Sequence, residues 1–196
     1  MLLMGYSHLF IATDLRCQTL VLDEDSRNKE VISLEDYPRL RIDSSLTQTI
    51  RQVRQGANFE PPGLSLGTMS QWAPKNFRSP VWMRVSILNA TAESMERYLS
   101  IGLHAYSEVF VYKDGKQFKN ENLGNQLPLD QRPVNILWPS TNNNSILLEF
   151  TPGETLSIYA KIRNPHGPNM YGKNSQFRAS LIHPEYLEVS SDRHLL

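Results

Sequence analysis

Trp82 and Arg84 stand two positions apart in Val81-Trp82-Met83-Arg84-Val85-Ser86-Ile87-Leu88-Asn89. Residues so spaced on an extended chain share a face. An indole offers a flat apolar contact and a guanidinium a rigid fork of donors, so the pair suits recognition of a small polar ligand rather than bond-making. Tyr98 and Tyr112 offer two further rings that could stack on such a ligand. His104, and Arg132 before Pro133, offer further polar contacts. Arg132 has an equally simple structural use, an ion pair to Asp130 or Glu108.

Little in the sequence points to an enzyme. It holds no phosphate loop and no His-rich metal motif, and its Gly-x-Ser-x-Gly string, Gly63-Leu64-Ser65-Leu66-Gly67, follows the proline-rich connector Phe59-Glu60-Pro61-Pro62 rather than the apolar strand that a nucleophile elbow requires. The carboxylates that cluster, Asp23-Glu24-Asp25 and Glu35-Asp36, read as solvated turns rather than as a pair flanking a cleft. His104, His166 and His183 have no carboxylate at a ligand spacing, and Cys17 is the single cysteine, so we expect no metal, no cofactor and no disulfide. Twenty basic residues balance twenty acidic ones, which leaves no net field to draw nucleic acid.

Elements of strand period must position these side chains. Val81, Met83, Val85 and Ile87 make one wholly apolar face of the first strand, which turns Trp82 and Arg84 to the other. The same alternation puts Leu99, Ile101 and Leu103 inward with Tyr98 and His104 outward. It puts Val109 and Val111 inward with Glu108, Phe110 and Tyr112 outward. The spacing therefore predicts an outward face bearing Trp82, Tyr98, Phe110 and Tyr112 beside Arg84 and His104. That face is either a ligand surface or a second core covered by a helix and by the loop around Trp72 and Phe77; a partly roofed groove satisfies both.

Strands are expected over Val81–Asn89, Arg97–His104, Glu108–Lys113, Val134–Trp138, Ile146–Phe150, Leu156–Arg163 and Phe177–Ile182. Asp114-Gly115, Asn142-Asn143-Asn144 and Thr151-Pro152-Gly153-Glu154 are turn signals between them. Thr19–Asp23 and Glu30–Leu34 read as two short strands that can form a hairpin. Ser44 or Ser45 can cap a helix over Leu46–Gln55, with Leu46, Ile50 and Val53 on one face and Gly56 as its stop, and Pro184 can open a short C-terminal helix. The fold class is all-β: a jelly-roll β-sandwich of two antiparallel sheets, large enough at 196 residues for one core. Residues 1–18 resemble the apolar part of a signal sequence without its basic start, 19–183 form the domain, and 184–196 form a connector. No apolar run is long enough to span a bilayer.

In order and spacing the chain resembles a known family, the second, jelly-roll-like type of periplasmic sensor domain in bacterial seven-transmembrane receptors with diverse intracellular signalling modules. The residues that carry the resemblance run through most of the chain. They are Leu20-Val21-Leu22-Asp23, Phe59-Glu60-Pro61, Leu66-Gly67, Val81-Trp82-Met83-Arg84 with Leu88-Asn89, and Val109-Phe110-Val111-Tyr112. Gly124, Arg132-Pro133, Pro152-Gly153-Glu154-Thr155-Leu156 and Ile158-Tyr159-Ala160-Lys161-Ile162 complete the set. The resemblance implies a carbohydrate-binding-like domain outside the inner membrane, followed in an intact receptor by seven membrane helices and an output module. This chain stops where the first of those helices is expected. The function expected is a non-catalytic extracytoplasmic sensor that binds a carbohydrate or carboxylate through Trp82, Arg84, Tyr98, His104, Tyr112 and Arg132. The rival is a scaffold whose aromatic face binds another polypeptide or a second copy of the chain as a homodimer.

Overall fold

The computed structural model describes residues 18–34, 36–56, 59, 79–101, 106–124, 127–131, 133, 145–163 and 179–186. Its strands are β1 (Thr19–Leu22), β2 (Val31–Ser33), β3 (Arg39–Ile42), β4 (Val81–Asn89), β5 (Met95–Ser100), β6 (Tyr106–Lys113), β7 (Lys116–Leu123), β8 (Ser145–Phe150), β9 (Thr155–Arg163) and β10 (Ser180–Ile182). Two short helices, α1 (Glu24–Arg27) and α2 (Ile50–Gly56), interrupt them. The first sheet runs β1-β4-β9-β6-β7, with β3 also paired to β4; the second runs β2-β10-β5-β8. Every pairing is antiparallel except β1 with β4. The chain is thus an all-β sandwich, as its alternation implies.

One core fills the space between the sheets. Leu40, Met83, Val85, Ile87, Val109, Val111, Ile158 and Ala160 come from the first sheet, and Met95, Leu99, Ile146, Leu148, Phe150 and Leu181 from the second. The inward set read from β4 is the set that packs here. Asn89 ends that strand: its side chain donates to the Glu93 and Phe150 carbonyls (2.9 and 3.0 Å) and accepts from the Thr91 amide and hydroxyl (3.0 and 2.8 Å). A buried amide satisfied this fully costs little, and it turns the chain from one sheet to the other.

The expected hairpin of the first two strands does not form. Asp23 caps α1 through the Ser26 amide, and the buried Arg97 donates to the Ser26 and Arg27 carbonyls, so the chain turns away after β1. β1 then lies parallel to β4, and β2 pairs with β10 in the other sheet. The second helix starts later than expected. Thr49 and Gln52 close a capping box: the Gln52 side chain accepts from the Thr49 amide at 2.9 Å and the Thr49 hydroxyl accepts from the Gln52 amide at 3.4 Å. Leu46 lies outside this helix with a positive φ of 65° and is exposed. Ser45 instead donates to Asp43 at 2.6 Å.

Asp114 and Gly115, both at positive φ, form the tight turn expected between β6 and β7. In the turn between β8 and β9, Glu154 accepts from the Thr151 amide and hydroxyl (2.8 and 2.6 Å) and pairs with Lys113 at 2.6 Å. Burial disfavours its charged form, but the bonds from Lys113 and Thr151 outweigh that and hold the carboxyl below its ordinary value of 4.5. A carboxyl depressed on folding stabilises fully above its unfolded pKa, and that contribution fades as pH falls through the lower folded value. Wild-type protein should therefore lose more stability between about pH 5 and pH 3 than Glu154→Gln does, measured by urea unfolding across that range.

The strand expected over Val134–Trp138, the Asn142–Asn144 turn, and residues 1–17 and 187–196 lie outside the described residues. Pro184–Tyr186 are helical. No helix among the described residues is long and apolar enough to cross a membrane.

Candidate functional site

Cross-strand register builds rows of side chains on the outer face of the first sheet. One row runs Arg39, Arg84, Tyr159, Phe110 and Asn120 over β3, β4, β9, β6 and β7. The next runs Arg41, Trp82, Lys161, Glu108 and Asn122. On β4 and β9 the outward residues Trp82, Arg84, Tyr159 and Lys161 alternate with the inward Val81, Met83, Val85, Ile158, Ala160 and Ile162 of the main core, so the alternation that fills the core also assembles this face.

Trp82, Tyr112 and Tyr159 form a second, smaller core with Val53 of α2, and Ile50, Phe59 and Phe110 pack against it. Trp82 is only 1% exposed. It stacks on Phe110 at 6.0 Å between centroids, and Tyr112 meets Tyr159 edge to face at 5.8 Å. The Arg54 guanidinium lies 3.8 Å from the Tyr112 ring centroid and donates to the Gly115 carbonyl at 2.9 Å, which pins α2 over the β6–β7 turn.

A buried polar pair fixes the segment leading into α2. Lys161 donates to the Gln48 carbonyl at 2.8 Å and lies 3.9 Å from Asp43, which accepts the Gln48 amide at 2.9 Å. Burial pushes the Lys161 ammonium below its usual pKa and Arg163 adds to this, while Asp43 and Glu108 oppose it. Its Nζ is 5.3 Å from the Trp82 ring centroid.

Of the residues singled out from sequence, Trp82, Arg84, Phe110 and Tyr112 share this face. Trp82 and Tyr112 lie beneath α2, whereas Arg84 and Phe110 remain half-buried. Tyr98 is a correction: it points outward from β5, paired with Leu147 and Ile182, in the second sheet. The β4–β5 connection crosses between sheets, so equal phase along the two strands puts Tyr98 on the opposite side of the sandwich. His104 and Arg132, with the roofing residues Trp72 and Phe77, lie outside the described residues. Phe59 supplies cover instead, 6.4 Å from Tyr159 between ring centroids.

Tyr159, Lys161 and Arg54 were not singled out from the sequence as parts of this face. Tyr159 and Lys161 were readable, since inward Ile158, Ala160 and Ile162 leave them outward by the same alternation. Arg54 needed knowledge of where α2 docks. Among the described residues no three His, Cys, Asp or Glu side chains gather as a metal site.

The sequence model of the family described as 7TMR-DISM extracellular 2 matches residues 36–171, well over half of the chain. No curated protein matches it. Among solved structures, the insecticidal delta-endotoxin Cry8Ea1 from Bacillus thuringiensis aligns at 12% identity and a TM-score of 0.23 over 50% of this chain and 16% of the toxin, too little for any argument.

Proposed function

The chain belongs to the 7TMR-DISM extracellular 2 family, the extracellular sensor domain of seven-transmembrane receptors, and from that premise we propose that it binds a small polar ligand, a carbohydrate or a carboxylate, without catalysing its conversion. Its place is the extracytoplasmic side of the membrane. In an intact receptor, ligand binding favours one arrangement of the domain relative to the membrane-embedded region and so biases the output module.

One observation carries this reading. Arg84 and Phe110 stay half-buried at the rim of an aromatic cluster whose centre, Trp82, Tyr112 and Tyr159, is sealed, so a donor fork and a ring face remain within reach of a ligand while their neighbours are held in place. Tyr159 supports the Arg84 guanidinium, whose central carbon is 5.7 Å from the ring centroid. Trp82 acts beneath this rim as a support. The scaffold reading draws on a different feature, the exposed ring of Phe118 on the edge strand β7.

A thermal-shift screen of neutral sugars and small carboxylates on the full chain tests the proposal. At least one compound should raise the melting temperature saturably, and Arg84→Ala should remove that shift while folding normally. A shift that survives Arg84→Ala, or a complete panel without one, would sink the reading.

A further inference from the structure

Outside the sealed cluster, the β3–β4 edge of the same face holds an arrangement that folding alone does not account for. Arg39 stands directly opposite Arg84 in the antiparallel register, and Arg41 stands opposite Trp82. All three arginines are half-buried. Like charges placed directly across a strand pair destabilise it, so this placement works against the sheet that carries it.

Among the described residues, neither Arg39, Arg41 nor Arg84 has an acidic side chain within ion-pair distance, although Arg27, Lys113, Lys119 and Lys161 each have one. Of the acidic groups on this face, Asp43 is taken up by Lys161, Ser45 and Gln48, and Glu108 sits two strands from Arg84, across β9. The chain is neutral as a whole, so the three guanidinium groups are a local excess of positive charge. The Arg84 Nε is also buried, and among the described residues it has no hydrogen-bond partner. A desolvated donor in that position is costly unless an acceptor arrives.

We propose that Arg39 and Arg84 together form an oxyanion-binding subsite, with Arg41 adding to its positive field. The subsite takes the carboxylate or phosphate of a small ligand, accepted between the two planar donor forks. One anionic group bound there turns the unfavourable opposition of Arg39 and Arg84 into two charge-assisted contacts. This deepens the ligand-binding reading above and rests on it, and it brings in Arg39, a residue that reading does not need.

Titration of the full chain with sodium citrate, inorganic phosphate and glucose, each against sodium chloride at equal ionic strength, tests the subsite by calorimetry and melting temperature. Citrate or phosphate should bind saturably and raise the melting temperature beyond chloride; whichever binds more tightly identifies the carboxylate or the phosphate class. Arg39→Gln and Arg84→Gln should each weaken that binding about tenfold or more, the scale of a lost charge-assisted hydrogen bond. Arg39→Lys, which keeps the charge and loses the fork, should fall between. In chloride alone, Arg39→Gln should melt at or above the wild-type temperature, because a repulsion has been removed. Citrate and phosphate that act no more strongly than chloride would overturn the proposal, as would anion binding unchanged in both Arg39 variants. A neutral compound bound equally by wild type and Arg39→Gln, with citrate and phosphate acting no more strongly than chloride, would leave the domain a ligand binder and still overturn the anionic subsite.

Discussion

Trp82→Ala should lower the stability of this domain by about 3–5 kcal/mol, the cost typical of deleting a large buried aromatic. The melting temperature should then fall by roughly 6–20 °C for a chain of this size. Trp82 is fully buried, and the space it leaves is bounded by Val53, Phe110, Tyr112 and Tyr159. These groups belong to a strand or to a pinned helix and cannot collapse into the gap without moving α2 off the sheet. Trp82→Phe should recover much of the loss by keeping a ring against Phe110. Differential scanning calorimetry of both variants checks this, and a Trp82→Ala protein that melts with wild type would remove the second core from the account. A binding defect in Trp82→Ala alone would therefore say little about ligand contact, which makes Arg84 the cleaner probe.

The larger effect is expected one residue further on. Met83 is 0% exposed and faces the main core between its register partners Leu40 on β3 and Ala160 on β9. Met83→Asp would bury a carboxylate among apolar side chains with no donor to meet it. The penalty of several kcal/mol is comparable with the roughly 5–15 kcal/mol that holds a typical domain together. The variant should be unfolded at 25 °C by circular dichroism and amide dispersion in NMR spectra. Met83→Leu, which conserves volume, should stay within about 1.5 kcal/mol of wild type. The contrast separates burial of charge from loss of shape, and a cooperative melt of Met83→Asp near the wild-type temperature would refute the placement of β4 in the core.

These neighbouring residues also mark how far the fold can be read from residue order. The bounds of β4 and the inward phase of Val81, Met83, Val85 and Ile87 follow from a period of two, because a half-buried strand imposes that period on its side chains. The same reasoning put Val109, Val111 and Leu99 inward, where the structure has them. Period two reports which side of a sheet a residue takes and nothing about which sheet. That is why Tyr98 was grouped with Trp82 although β5 belongs to the opposite layer. Parallel pairing of β1 with β4 was equally hidden, since it depends on how α1 and Arg97 redirect the chain. β3 and β7 escaped notice for a chemical reason. Arg39-Leu40-Arg41-Ile42 has too few apolar residues to declare a strand, and Lys116-Gln117-Phe118-Lys119-Asn120-Glu121-Asn122 is polar because it forms a sheet edge. The first omission mattered most for the site: without β3, nothing in the sequence brings Arg39 opposite Arg84.

The helix over the aromatic face was legible in kind but not in position. Ile50 and Val53 were expected on its buried side and pack against the second core. Its start was misplaced because Ser44 and Ser45 look like caps, yet Thr49 and Gln52 supply the reciprocal pair. The shift leaves Leu46 exposed and centres the helix over Tyr112, so the residues offered for stacking are sealed and those at the rim stay open.

The most direct test of a ligand-binding rim is a pair of calorimetric isotherms, for wild type and for Arg84→Ala, with whichever sugar or carboxylate a screen returns. The melting curves of both proteins should be recorded beside them. The rim predicts that Arg84→Ala melts within a few degrees of wild type and loses the ligand, binding at least about tenfold more weakly. Equal affinity in the two proteins would contradict it.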